Sequence, residues 1–259
     1  MRFLCLGYSD EKNWVAIPQS ELEAILAYVD ALRRDGHHWE NGQALQSTRT
    51  AKTIRWQGGK VVVTDGPYAE TKEQLGGFTV FEADDMDQAI ELMKKHPCAR
   101  LGSHEIRPAD EEMNAECGGA AASLNIKQGT MTFVCLGYID EKERAAISKS
   151  ELQAKSVYVD ALRRDGHWGV GEALENSKTA KTLRSDGGKM VVTDGPYAET
   201  KEQLGGVVVL HAKDMNHAIE LMTKHPGIRS MASIEIRPVN EEINALIAAG
   251  QPETAASRG

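Results

Sequence analysis

Apolar positions along the chain follow two spacings, and the two spacings alternate. Five short apolar runs, bounded by charged residues or glycines, predict strands at residues 3–8, 51–57, 60–64, 78–82 and 104–108. Gly58 and Gly59 separate the second run from the third, which is typical of a tight β-hairpin.

Two segments between these strands have helical spacing instead. The first carries one apolar face, formed by Leu22, Ile25, Leu26, Val29 and Leu32. Residues 20–23 (SELE) match a capping box, and Gly36 supplies the left-handed residue that ends a helix. Asp85 is predicted to cap the second helix, which ends at His96 because Pro97 disfavours helical geometry at the preceding residue.

This pattern occurs twice along the chain. FLCLGYSDEK from Phe3 returns as FVCLGYIDEK from Phe133, and VVTDGPYAETKEQLGG from Val62 returns unchanged from Val191. The capping pattern also returns, at residues 150–153. A duplicated unit is therefore the basis of the whole architecture.

The repeat divides the chain into two domains and two connecting segments. We expect one domain at residues 1–112 and its copy at residues 131–249. Residues 113–130 contain Gly-Gly-Ala-Ala-Ala-Ser and predict a flexible linker, and residues 250–259 predict a flexible tail.

The order of elements predicts the fold class. Each copy reads β-α-β-β, loop, β-α-β, a ferredoxin-like plan with an insertion. Residues 3–6 and 61–63 are apolar at successive positions, so both faces of the sheet need cover, and two helices cover only one. We therefore predict an α+β protein whose two tandem ferredoxin-like domains pack sheet to sheet as an intrachain pseudo-dimeric barrel. The covalent link makes this association intramolecular.

Composition excludes several classes of partner. The 259 residues include 38 acidic and 30 basic side chains, a net charge of -8, so nucleic acid is not an expected partner. No run approaches the roughly 20 apolar residues of a membrane helix, and the N-terminus turns polar too early for a signal peptide. We expect a cytoplasmic protein without a membrane partner. Its four cysteines contain no C-x-x-C pair and predict free thiols.

The repeated motif DGPYAETKEQLGG, at residues 65–77, resembles the DGPF group of the YCII-related proteins. Each copy resembles a whole family domain, with Tyr68 and Tyr197 where phenylalanine is commoner. The resemblance implies the dimeric α+β barrel superfamily, in agreement with the predicted order of elements. That superfamily includes isomerase-like enzymes, cofactor-free monooxygenases and haem enzymes, so the fold leaves the chemistry open.

The resemblance also implies a site and a context. In YCII-related proteins a His and Asp pair is regarded as a catalytic centre. The histidine position falls near Ile25 and Lys155, whereas the aspartate is retained as Asp65 and Asp194, so at most half of that pair is present. Members of the DGPF group are often encoded beside alternative sigma factors, which implies a regulatory setting.

The motif contains the first set of candidate site residues. A carboxylate-rich turn held between rigid strands can supply a general acid or base. Asp65 and Asp194 are the candidate acid/base groups, and their substrate-orienting neighbours are Glu70, Lys72, Glu73, Glu199, Lys201 and Glu202. The alternative is purely structural: a turn at Asp-Gly-Pro, a short helix at residues 70–75 and a bulge at residues 76–77.

Histidines supply the second set, because only histidine titrates near neutrality without help. His37 and His167 recur just past a helix end and are candidate catalytic residues. His96 and His225 also recur, but as imidazolium groups they would complement a helix dipole, which is a structural role. Unpaired histidines elsewhere make a duplicated metal site unexpected.

The last strand of each copy supplies the third set. Arg107 and Arg237 could clamp a ligand carboxylate or phosphate, although an ion pair with the neighbouring glutamate on a solvated sheet edge is the favoured alternative. Tyr8 and Tyr138 end their strands either at the rim of a pocket or in the core with a satisfied hydroxyl.

Two functional hypotheses follow. No dinucleotide, P-loop, serine-hydrolase or zincin motif is present, so we expect neither a cofactor nor a metal. The leading hypothesis is a protein that binds a small organic molecule in clefts built by the repeated motif, with cofactor-free acid/base chemistry of the isomerase, lyase or oxygenase type. The alternative is a non-catalytic ligand sensor or protein-interaction module linked to sigma-factor regulation. Further homo-oligomerisation of whole chains is left open.

Overall fold

The structure is a computed structural model that describes residues 1–14, 18–37, 39–117 and 126–249. Its strands are β1 (Arg2–Ser9), β2 (Trp39–Ala44), β3 (Lys52–Gln57), β4 (Lys60–Asp65), β5 (Gln74–Glu82), β6 (Ser103–Pro108), β7 (Met131–Asp140), β8 (Trp168–Ala173), β9 (Lys181–Asp186), β10 (Lys189–Asp194), β11 (Glu202–Ala212) and β12 (Ser233–Pro238). Its helices are α1 (Glu11–Trp14), α2 (Gln19–Arg34), α3 (Met86–Lys95), α4 (Glu111–Cys117), α5 (Glu141–Arg144), α6 (Lys149–Arg164), α7 (Met215–Thr223) and α8 (Glu241–Ala249). No helix of the described ranges is long and apolar enough to cross a membrane.

The strands form two six-stranded antiparallel sheets, and the copies exchange a hairpin between them. The sheet orders are β10-β9-β6-β1-β5-β2 and β4-β3-β12-β7-β11-β8. Ile54 of β3 pairs with Ile234 of β12, and Leu183 of β9 pairs with His104 of β6. Each sheet therefore has four strands from one copy and a β-hairpin from the other. The sequence predicts the hairpins but not this exchange.

The inner core lies between the two sheets, as the sequence predicts. Leu4 and Leu6 of β1 face Val134 and Leu136 of β7 across the molecule, and all four are fully buried. The alternate residues of β1 and β7 face the helices, where each outer core also takes one fully buried residue, Ile54 or Leu183, from the other copy's hairpin. The chain is thus an α+β protein in which two ferredoxin-like units pack sheet to sheet as an intrachain pseudo-dimeric barrel.

The sequence predicts that both faces of the sheet are covered at residues 61–63. For the exchanged hairpins this prediction is wrong. Val63 of β4 remains 43% exposed, and Val191 of β10 remains 41% exposed. Both strands lie at the outer edge of their sheets. Only part of each hairpin, such as Val61, packs against an outer core.

The helix ends agree with the sequence in part. Gly36 has a φ of +87° at the end of α2, and the side chain of Asp85 accepts a hydrogen bond from Gln88 N at 2.8 Å, both as predicted. The predicted capping boxes are both wrong by two residues. The first long helix starts after Pro18 without a side-chain cap, and Ser148 caps α6.

The last helix of each copy lies against the other copy. Asn114 of α4 accepts a hydrogen bond from Ala173 N at 2.7 Å and donates to Glu172 Oε2 at 2.9 Å. Asn244 of α8 accepts a hydrogen bond from Ala44 N at 2.9 Å in the same way. Helix α4 occupies the start of the predicted linker, while residues 118–125 and the predicted tail at 250–259 lie outside the described residues.

Candidate functional site

Each repeated motif crosses from its own hairpin to the last strand of the other copy. Gly66, with a φ of +91°, turns the chain after β4, and its carbonyl accepts a hydrogen bond from Thr53 Oγ1 at 2.8 Å. The amide of Tyr68 then donates to Glu235 Oε2 at 2.8 Å. In the second copy, Tyr197 N donates to Glu105 Oε2 at the same distance. Two composite sites result, each built from both copies.

The first composite site, which we call the Tyr138 site, contains Tyr68, Tyr138, Glu202, Glu235 and Arg237. The rings of Tyr68 and Tyr138 stack with their centroids 4.0 Å apart. The hydroxyl of Tyr68 donates to Glu202 Oε2 at 2.5 Å. The site thus joins one tyrosine of the first copy to a tyrosine, two carboxylates and a buried guanidinium of the second copy.

The second composite site, the Tyr8 site, contains Tyr8, Glu73, Glu105, Arg107 and Tyr197. Its stacked rings, Tyr8 and Tyr197, lie 4.3 Å apart at an angle of 8°. Glu73 accepts hydrogen bonds from the Tyr197 hydroxyl and from Ser103 Oγ. The arrangement therefore repeats that of the Tyr138 site.

The glutamate and arginine of each last strand form a buried ion pair. Glu235 and Arg237 contact each other with side chains at most 2% exposed, and Arg237 Nη1 also donates to Leu75 O at 2.6 Å. Glu105 and Arg107 form the equivalent pair. The solvated-edge alternative is wrong, because the exchanged hairpin pairs with β6 or β12 and makes each an interior strand.

The tyrosines of both sites are phenols at neutral pH. Burial, with the nearby charge of Glu105 as a smaller cause, holds the pKa of Tyr8 well above its usual range. Burial followed by the hydrogen bond to Glu73 raises the pKa of Tyr197 to about 12. For Tyr68 the same two causes, burial and the bond to Glu202, raise the pKa. These hydroxyls therefore act as hydrogen-bond donors.

Asp65 and Asp194 lie apart from this chemistry, at the exposed ends of β4 and β10. Their side chains are 89% and 90% exposed, and they pair with Lys52 and Lys181. The hydrogen bond from Lys181 lowers the pKa of Asp194, whereas a general acid at neutral pH needs a raised one. Their acid/base role stays a prediction.

The remaining motif residues divide into two groups. Glu70, Lys72, Glu199 and Lys201 are exposed, whereas Glu73 and Glu202 are half-buried in the composite sites. The predicted short helix at residues 70–75 is wrong, because the segment bends and is held by Gln74 Nε2, which donates to Ala69 O and Thr71 O. The predicted bulge is confirmed, since the pairing of β1 with β5 shifts beside Gly77.

The candidate histidines lie away from the composite sites. His167, only 5% exposed, has its Nδ1 at 2.7 Å from His211 O, at the opposite end of β11 from Glu202. His37 is half-buried just past the end of α2. The structure does not bring either histidine together with the motif.

The paired histidines before proline are structural, but not as imidazolium groups. His96 Nδ1 accepts a hydrogen bond from Cys98 N, and His225 Nδ1 accepts one from Gly227 N. Burial lowers the pKa of His96 to about 3 and that of His225 to about 4, so both rings are neutral. The predicted dipole interaction is therefore wrong. Within the described ranges no cluster of histidine, cysteine or carboxylate side chains could hold a metal ion.

Two features of the sites were missed in the sequence. The side chains of Tyr68 and Tyr197 carry the central hydroxyls, although the sequence marks them only as a mild departure from phenylalanine. The glutamates of the last strands accept bonds from the opposite copy's motif. Their spacing, two residues from an arginine on the same strand face, was the available signal.

The fold and the composite sites define a tandem barrel protein with two equivalent interdomain sites. A family model for the YCII-related domain matches residues 1–111 and 131–243, and the chain belongs to the YCII-related domain family.

The chain is similar to one further protein in sequence and to two solved structures in fold. An uncharacterized protein of Rhizobium meliloti (strain 1021) is 34% identical over 115 residues, covering 42% of this chain and 91% of that protein. A mutant chlorite dismutase from Candidatus Nitrospira defluvii aligns with a TM-score of 0.40 at 8% identity, covering 97% of this chain and 95% of the other. A heme-binding protein from Thermus thermophilus aligns with a TM-score of 0.41 at 9% identity, covering 95% of this chain and 94% of the other.

Proposed function

We propose that the protein binds a small organic molecule with an oxygen acceptor, such as a carbonyl or carboxylate, at the two composite sites. The observation that carries this proposal is a buried donor without an acceptor at each site. Ser233 Oγ lies beside Tyr138, and Arg107 Nε lies in the Tyr8 site. Neither has a hydrogen-bond partner among the described residues. A buried polar group without a partner is costly, and a ligand oxygen bound at each site would satisfy the donor there.

The charges of the site support the same conclusion. A buried ion pair is seldom more stable than apolar residues of equal volume, because removing charges from water costs several kcal/mol per ion. Two such pairs nevertheless lie inside the barrel, beside an otherwise apolar core. A binding role explains why the pairs lie there.

The tyrosine and glutamate pairs supply the chemistry if the bound molecule is transformed. The carboxylate can accept a proton from the bound molecule, and the phenol O–H can then turn from the carboxylate and donate a hydrogen bond to the oxyanion that the proton loss leaves. Tyr68 with Glu202, and Tyr197 with Glu73, have this geometry. Asp65 and Asp194 are the rival acid/base groups. A non-catalytic sensor would share the binding step without turnover.

A thermal-shift screen of small oxo acids and hydroxy acids tests the proposal. The wild type is compared with Tyr68→Phe/Tyr197→Phe, which keeps the stacked rings, and with Asp65→Asn/Asp194→Asn. We expect a ligand that raises the melting temperature of the wild type and of the aspartate variant, but not of the tyrosine variant. The proposal fails if no oxo or hydroxy acid raises the wild-type melting temperature, or if the tyrosine variant responds as the wild type does. If the rise in melting temperature is lost only in the aspartate variant, the ligand binds at Asp65 and Asp194, at the ends of the hairpins, and not at the composite sites.

A further inference from the structure

A cavity of about 130 Å³ lies in the outer layer of the second copy, between α6 and the helix-facing side of β7 and β11. Helix α4, contributed by the first copy, closes one side through Met113 and Cys117. The Tyr138 site lies on the opposite face of the same sheet, because Cys135 lines the cavity while Val134 and Leu136 belong to the inner core, and the Tyr8 site lies on the other sheet. The cavity is therefore separate from the proposed function above.

We propose that this cavity is a binding site for a small apolar molecule that carries a carboxylate, with the ammonium group of Lys155 as its anchor. Most of the lining is apolar, and it includes Cys135, Val159, Val208, Met222, Met231 and Ile234. An apolar cavity of roughly 150 Å³ holds a benzene-sized molecule, so the ligand's apolar part is a small ring or a short branched chain.

Two polar groups in the lining lack a good partner. Lys155 is only 5% exposed and forms an ion pair with Glu151 of the same helix, but Glu151 Oε1 lies 3.6 Å from the ammonium, beyond normal hydrogen-bond distance. Trp168 Nε1 is buried without an acceptor among the described residues. Both groups are donors, so the partner that each lacks at hydrogen-bond distance is an acceptor, and a carboxylate oxygen is a strong acceptor for an ammonium group.

The other charged groups of the lining are already paired. Glu172 contacts Arg2 and accepts from Asn114 Nδ2, and Arg144 pairs with Asp110 at 2.5 Å. His225 carries no charge at neutral pH, since burial and then the charge of Lys155 lower its pKa to about 4. Lys155 is therefore the cation in the lining that can attract an anion.

The sequence of the second copy makes room for the lysine. A Cβ atom on Gly227 would lie 3.0 Å from Lys155 Cε and 2.9 Å from His225 Nδ1, so the glycine leaves space for the lysine side chain. In the first copy the equivalent residues are Ile25 and Cys98. The lysine and the glycine thus occur together in one copy and are both absent from the other.

A ¹⁹F NMR titration of the full chain tests the assignment. The probe is 4-fluorobenzoate, and 4-fluorobenzyl alcohol is its neutral analogue. We expect the wild type to bind the acid, and Lys155→Met to weaken that binding at least about tenfold, which corresponds to the loss of one charge-assisted contact. The alcohol should bind both proteins equally. Ile25→Met, the matched change in the first copy, should leave binding of the acid unchanged.

A second variant distinguishes loss of binding from loss of folding. Lys155→Ile/Gly227→Cys gives the second copy the pair that the first copy already accommodates, so it should fold and lose binding of the acid. Equal binding of 4-fluorobenzoate to wild type and Lys155→Met would overturn the proposal, as would absence of binding to the wild type at about 10 mM, the weak end for so small a ligand. Tyr68→Phe/Tyr197→Phe should leave the titration unchanged, which separates this site from the composite sites.

Discussion

The backbone amide of Tyr68 donates to the buried carboxylate of Glu235, although the two residues are 167 positions apart in the chain. The bond joins the motif of the first copy to the last strand of the second. Its counterpart, from Tyr197 to Glu105, makes the reverse connection. Stability and site geometry therefore depend on the same contacts.

Removing one member of the buried ion pair should destabilise the protein strongly. Glu235→Leu leaves Arg237 buried without its countercharge, and we expect a loss of about 3–5 kcal/mol in the free energy of unfolding. Glu235→Leu/Arg237→Met removes both charges, so its loss should be smaller by at least about 2 kcal/mol. Urea unfolding with Glu70→Gln, an exposed change, as control measures both. Equal losses in the single and double variants would show that the arginine is not left uncompensated.

Stability should fall as the pH decreases below about 6.5. Burial lowers the pKa of His104 and His225 to about 4 and that of His96 to about 3, against about 6.5 for histidine in an unfolded chain. Between those values the unfolded chain binds more protons than the folded one. Each histidine therefore contributes a slope of up to about 1.4 kcal/mol per pH unit in that window.

The duplication supplies a control for this pH dependence. The second copy has Ile234 where the first has His104, whose Nδ1 has no partner among the described residues. His104→Ile should reduce the slope between pH 6 and pH 4 by up to about 1.4 kcal/mol per pH unit, measured by urea unfolding at several pH values. An unchanged slope would mean that His104 is not held neutral in the folded protein.

Each copy produced alone should form a dimer. In the whole chain β12 pairs with the first copy's β3, and β6 pairs with the second copy's β9. A chain of residues 126–249 lacks that partner and should exchange its own hairpin with a second molecule, because an unpaired strand edge is costly and readily pairs. Light scattering after size-exclusion chromatography gives the mass. A stable folded monomer would show that the hairpin can return to its own copy.

Much of the fold could be predicted from local patterns. The alternation around Leu4 and Val134, together with the repeat, was sufficient to predict two facing sheets. The hairpin exchange could not be predicted, since Ile54 alternates in the same way whichever last strand it joins. Strands β2 and β8 were missed because WENGQA and WGVGEA contain few apolar residues, and they form by pairing with β5 and β11.

The sequence directed attention to the repeated motif but not to the central groups of the composite sites. The repeated motif indeed builds the composite sites, yet Asp65 is exposed because β4 is an edge strand. Conversely, Glu235 and Arg237 are buried because β3 of the first copy pairs with β12, which would otherwise be an edge strand. The exposure of Asp65 and the burial of Glu235 both depend on the pairing of a hairpin with the other copy's last strand. No short stretch of sequence contains the information for that pairing.

The exchanged hairpins also affect how the two sites can diverge. Each site takes its crossing tyrosine from one half of the gene and its ion pair from the other. A substitution of Tyr68 therefore alters the Tyr138 site, while a substitution in the first copy's last strand alters the Tyr8 site. Because the two halves are fused in one polypeptide, the two sites are built from different codons and can acquire different sequences. In a symmetric homodimer encoded by a single gene, every substitution would appear in both sites.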